Sequence, residues 1–185
     1  MTSCCFAGMS SQLKHVNGSA PVPYATTEEL VATLASMPDR VAETLRSAGA
    51  ALVAQTALPS EGADAAWNAP QVLGHLGDSS RYWGARMLRT VYEDEPQLPG
   101  VDQDALMLAF AHRYRSPDEL LAMYRLASAC NVALLRGLPA EAWQRVGTHA
   151  ERGRMTLREM AEVQTDHEVI HLRQLREALG LDVAE

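Results

Sequence analysis

The chain has 185 residues, 47% hydrophobic and 21% charged, which fits one globular domain with a real core and excludes a disordered or collagen-like polypeptide. Acidic residues outnumber basic ones, 23 to 16, for a formal charge of -7, and Lys14 is the only lysine. With no basic block and net repulsion from phosphates, neither nucleic acid nor an anionic membrane is expected as a partner.

No apolar run approaches the length needed to span a bilayer, and the N-terminus lacks the pattern of a signal peptide. Cys4, Cys5 and Cys130 are too few and too unevenly placed for a disulfide framework, so a reducing cytoplasm is the expected compartment. The adjacent pair Cys4-Cys5 is read as incidental. Residues 1–24 mix Ser, Gly, Pro and Cys without periodicity and read as a flexible N-terminal arm, leaving 25–185 as the folded domain.

From there the punctuation is regular. Thr26-Thr27-Glu28-Glu29, Ser116-Pro117-Asp118-Glu119 and Thr156-Leu157-Arg158-Glu159 have capping-box spacing, in which a hydroxyl accepts from an orphan amide and a glutamate reaches back to the cap. Asn68-Ala69-Pro70-Gln71 is a looser version, with proline tolerated in the first turn. Apolar residues of helical period follow each. The spacing predicts a first helix over 26–48, interrupted or restarted at Pro38, and an irregular stretch to Trp67. A second long helix is predicted over 69–91, a short one near 102–112, and a third long one over 117–136. A turn through Pro139 and Trp143 leads to a loop at 147–153. A last helix covers 157–179, with Gly180 as its cap. No segment alternates with period two, so no sheet is expected. Four helices with one apolar stripe each can bury those stripes only against one another. The fold class is therefore all-α, an up-and-down type four-helix bundle with short extra helices.

The last helix carries His167-Glu168-Val169-Ile170-His171. Histidines four apart lie one above the other on one helical face, about 5–6 Å between Cβ atoms, so both rings can bind one cation. The segment satisfies the H-E-x-x-H pattern of zinc proteases. Against that reading, the residues that follow offer no third histidine and no later glutamate on a further helix, and no substrate-aligning edge strand is predicted. The better third ligand lies upstream. His75 shares a helical face with Val72, Leu76, Ser79 and Trp83, so its ring points inward. An inward histidine can also bond a core hydroxyl, but with two more on a facing helix the ligand reading is stronger, because bundles build metal sites this way. Three imidazoles leave coordination positions open, the arrangement of a catalytic site.

Trp67-Asn68-Ala69-Pro70-Gln71-Val72-Leu73-Gly74-His75-Leu76-Gly77-Asp78 and Gly153-Arg154-Met155-Thr156-Leu157-Arg158-Glu159-Met160, followed by His167, His171 and Gln174, resemble the DinB-like superfamily. These are damage-inducible and YfiT-like four-helix proteins, unrelated to the DNA polymerase that shares the name. The resemblance covers residues 26–180. It implies a four-helix bundle, often dimeric, with a divalent transition metal, commonly zinc or nickel, on His75, His167 and His171. It also implies either metal-dependent hydrolysis or transfer of a low-molecular-weight thiol onto electrophiles, without fixing the substrate.

Further candidates are Asp78, which could orient His75 or accept a proton, and His149, which could reach over the bundle mouth as an acid/base group. The plain alternatives are a solvated helix aspartate and a surface-loop histidine. By helical pitch Glu168 is turned about 100° from His167 and is expected to face solvent. His15 and His112 fall in tail or loop and receive no role. Trp67 and Trp143 are expected to plug the ends of the core. Arg152 and Arg154 could hold an anionic substrate, solvated charges being the ordinary reading. The function that follows is a metal-dependent enzyme acting on a small molecule, as a homodimer. The alternative is a non-catalytic dimeric helical scaffold or metal-responsive binding protein.

Overall fold

A computed structural model of the protein describes residues 24–52, 67–110, 112 and 115–182. The long helices are α1 (Thr27–Ala48), α2 (Ala69–Tyr92), α4 (Pro117–Arg136) and α5 (Leu157–Ala178), with a short α3 (Gln103–Phe110) between the second and third. Cys4, Cys5, His15 and the rest of the expected arm before Tyr24 lie outside the described residues. Cys130 is a free, exposed thiol.

The caps explain where these helices start. Thr26, Asn68, Ser116 and Thr156 each accept a backbone N–H from the residue three positions on. At Asn68, Ser116 and Thr156 the reciprocal bond from Gln71, Glu119 or Glu159 completes the box. At the far end of α5, Gly180 has φ 66, and the N–H groups of Gly180 and Leu181 close back on the carbonyls of Glu177 and Arg176. This left-handed closure is the reason for a glycine there.

Two expectations fail. Helix α1 runs unbroken through Pro38, because Met37 and Val41 on either side are wholly buried and packing outweighs the backbone bond that proline forfeits. A small sheet is also present, where none was expected. Strand β1 (Gln97–Leu98) pairs in parallel with β2 (Val146–His149), and β2 pairs antiparallel with β3 (Gly153–Thr156). The stretch read as a loop at 147–153 is thus a hairpin. A 3-10 turn at Ala140–Gln144 precedes it and buries Trp143.

The four long helices form a bundle. Helix α2 packs on α4 and α5, and α1 packs on the same two, so α1 and α2 face each other across one diagonal. Their apolar residues form two clusters. One joins Leu30 and Leu34 of α1, Met87 of α2, Leu135 of α4 and Met160 of α5 with Leu98 and Trp143. The other joins Val41, Leu73, Tyr124 and Leu175. The order in which each helix passes from one cluster to the other shows α1 and α5 running one way and α2 and α4 the other. Alternation is interrupted once, between α2 and α4, where the crossover carries β1 and α3. A polar layer separates the clusters, built from Ser80, Asn131, Gln164 and Glu168, all buried. The candidate site lies beside it.

Candidate metal centre

Helix α2 brings His75 and α5 brings His167 and His171 to one place, where their ligand nitrogens all lie within 4.8 Å of one another. The Nε2 atoms of His75 and His167 are 2.9 Å apart. Three nitrogens each about 2 Å from a shared tetrahedral cation would lie about 3.3 Å from one another, so the cluster fits such an ion with small adjustment. His75 and His171 are buried, and His167 is half-buried.

The third histidine shows the donor state most clearly. His171 Nδ1 is 2.7 Å from the amide oxygen of Gln174, one turn on. An oxygen acceptor places the ring proton on Nδ1, so Nε2 carries a lone pair. That Nε2 is buried and has no hydrogen-bond partner among the described residues. A buried lone pair without a donor is costly, and a cation is the partner that suits it. Burial depresses all three imidazoles. His75 and His167 sit well below the usual histidine value, through desolvation and then neighbouring positive charge, and desolvation pushes His171 down to about 4. Each is neutral at physiological pH, as a metal ligand must be.

Trp67 does not simply plug the core. Its ring packs on His75 at 4.8 Å and on His171 at 6.1 Å, covering that side of the cluster. On the other side a cavity of about 120 Å³ opens against His75 and His167. Asp78, Trp83, Arg86 and His149 are among the residues that line it. Asp78 is 3% exposed rather than solvated, with one carboxylate oxygen 2.6 Å from His112 Nε2 and the other accepting from Arg81 at 2.5 Å. His149 is likewise not a surface-loop residue. It ends β2, is 4% exposed, and stacks on Trp83 at 5.6 Å. Burial first, then the nearby Arg86 charge, lowers its pKa. Of the two arginines, Arg152 lines the cavity and Arg154 is paired with Glu95.

Two residues were misplaced by sequence reasoning. His112, given no role, is wholly buried against Asp78. Gly74 makes room for it, since a Cβ there would stand 2.2 Å from the His112 ring. That glycine inside a helix, directly before His75, was the one local sign of a close neighbour. Glu168, expected to face solvent, is 0% exposed. Ser80 and Gln164 donate to one of its carboxylate oxygens and Tyr124 to the other, at 2.8, 3.0 and 2.6 Å. A carboxylate held this way, away from the cavity, is not the general base of a zinc protease. Desolvation raises its pKa.

Fold and site together define a helical bundle in which two packed helices carry a cluster of three histidines beside a cavity. The chain belongs to the DinB superfamily, whose family model matches residues 24–175. Among solved structures it is similar to YfiT from Bacillus subtilis, with a TM-score of 0.73 and 19% identity, covering 90% of this chain and 94% of that one. That protein is described as "a probable metal-dependent hydrolase with an unusual four-helix bundle topology". At this identity the likeness establishes the fold. No curated protein matches the sequence.

Proposed function

We propose that the protein is a metal-dependent enzyme in which His75, His167 and His171 hold one divalent transition metal, zinc or nickel, beside a substrate cavity. The observation that supports this most directly is the buried, unpartnered Nε2 of His171, with its opposite nitrogen fixed by Gln174. Held by these three histidines, such a cation would supply Lewis acidity and make a water or thiol nucleophile available at neutral pH.

The chain's own residues supply the rest. Trp67 covers His75 and His171 and keeps solvent from that side. The cavity at His75 and His167 admits the substrate. His149 accepts the Glu151 backbone N–H at Nδ1, which leaves the proton on Nε2 as a donor to a substrate oxygen. Asp78, steadied by His112 and Arg81, stands at the cavity wall to accept a proton from the incoming nucleophile. Hydrolysis and transfer of a low-molecular-weight thiol share this chemistry and differ in which nucleophile enters. A non-catalytic scaffold would need no opening at the histidines, and the cavity favours the enzyme. We also propose a homodimer, for which the exposed Leu88 and Tyr92, one turn apart on α2, offer an apolar contact.

The test is metal content per chain by plasma mass spectrometry, native protein beside His75→Ala, His167→Ala and His171→Ala. About one transition metal in the native protein and none in each variant is the expected result. Stoichiometric metal in any variant removes that residue from the set. A native protein that takes up no zinc or nickel when they are added back removes the metal reading altogether.

A further inference from the structure

We propose that the cavity beside the three histidines recognises a carboxylate on the substrate, held by the Arg86 guanidinium and the His149 Nε2–H, with Arg152 at the rim. The inference rests on the metal reading only for which end of the substrate reacts.

Arg86 is 8% exposed, yet it forms no ion pair among the described residues. Its guanidinium lies 4.8 Å from the centre of the Trp83 ring and gives one N–H to the Pro99 carbonyl at 2.8 Å. Glu151 is the opposite charge that acts on it, from outside ion-pair distance, and a buried cation without a directly paired carboxylate is expensive to keep. The buried carboxylates nearby are, by contrast, already provided for: Asp78 by Arg81 and His112, Glu168 by three neutral donors. His149 is the second unanswered group. With Nδ1 accepting from the Glu151 amide, its proton is on Nε2, and that atom is buried without a partner among the described residues. Arg86 and His149 both rest on Trp83 and both line the cavity, so one rigid indole sets their relative position. Arg152, exposed at the same wall, has no hydrogen bond or ion pair among the described residues. The Glu151 carboxylate also lines the wall, but it is exposed and forms no ion pair with Arg86.

A planar carboxylate matches the parallel N–H groups of a guanidinium and takes a third bond from the imidazole. Charge favours it over a phosphate, because a single buried guanidinium with a neutral imidazole balances one negative charge. The cavity of about 120 Å³ is below the roughly 150 Å³ that accepts benzene, which keeps the acid short. The substrate class is therefore a short organic acid whose carboxylate lies at Arg86 and whose reacting group lies at the histidines.

The test uses the protein as isolated, with metal content measured on the same samples. Calorimetric titration with propionate probes the carboxylate subsite, and titration with imidazole probes the histidine end. Arg86→Met is expected to weaken propionate about tenfold or more, as for loss of one partner of a charge-assisted pair, and to leave imidazole binding and metal content unchanged. Undiminished propionate binding in Arg86→Met, or no saturable propionate binding by the native protein, overturns the proposal. Should Arg86→Met fail to fold by circular dichroism, Arg152→Gln decides on an exposed side chain. A several-fold loss of propionate affinity supports the subsite, and unchanged affinity removes it. Failure of the metal reading appears separately, as absence of metal or of imidazole binding.

Discussion

Gln174 fixes the tautomer of His171 and so decides which of its nitrogens is free to bind a cation. Outer partners of this kind typically matter 10–100-fold in metal affinity. Gln174→Ala should weaken affinity about tenfold or more while leaving the helix intact, read by competition with a chromophoric chelator. Unchanged affinity would show that the ring is held by other means. The buried imidazoles also set a pH dependence. In metal-free protein His171 binds a proton only near pH 4, whereas an unfolded chain takes one up near the ordinary histidine value of about 6.5. Stability is therefore full above pH 6.5 and falls as pH drops toward 4, by on the order of 3 kcal/mol from this ring, with His75 and His167 acting in the same direction. Urea midpoints of metal-free protein across that window should show the slope, and a flat profile would contradict the burial. That His167 and His171 would stand together was legible because i and i+4 on a helix lie side by side whatever the rest of the chain does. His112 was not, since its partner Asp78 is 34 positions away and only the finished bundle joins them.

At the scale of elements, what was legible was chiefly what is local. Thr26, Asn68, Ser116 and Thr156 announce helix starts because a capping bond spans three residues, and all four caps are made. Thr156 begins the helix that carries two of the three histidines. Thr156→Ala should cost about 1 kcal/mol and lower the melting temperature by roughly 2–4 °C, measured by thermal circular dichroism. The sheet could not be foreseen, because strands of two to four residues are too short to show alternation. Glu168 was turned to solvent by assuming one narrow buried stripe. Helix α5 packs on both α1 and α2, so its buried arc is wider and takes in Gln164, Thr165, Glu168 and His171. Glu168→Ala would strand the donors of Ser80, Tyr124 and Gln164 in the core. A loss of about 3 kcal/mol or more in urea unfolding is expected, and a near-neutral effect would mean the layer repacks.

For the whole molecule, composition and stripes predicted a helical bundle but not which helices are neighbours, since any four amphipathic helices can bury their faces in several orders. The two crossing diagonals and the single crossover through β1 and α3 follow from how particular side chains interlock. The proposed dimer is a matter of this scale also. Light scattering on a size-exclusion column should give twice the chain mass, and a 20.1 kDa species alone would remove it.

His75 and His167 stand 92 positions apart in the chain yet 2.9 Å apart in space. A cation shared between them would in effect be a removable cross-link, closing a loop that spans half the polypeptide and tying the second helix to the last. Such a clip acts on the unfolded chain by forbidding its most open conformations, and on the native one by mass action. Chelation should accordingly lower the melting point and quicken unfolding without changing the helical spectrum. The supply of metal would then set how long each molecule endures, as well as what it can do.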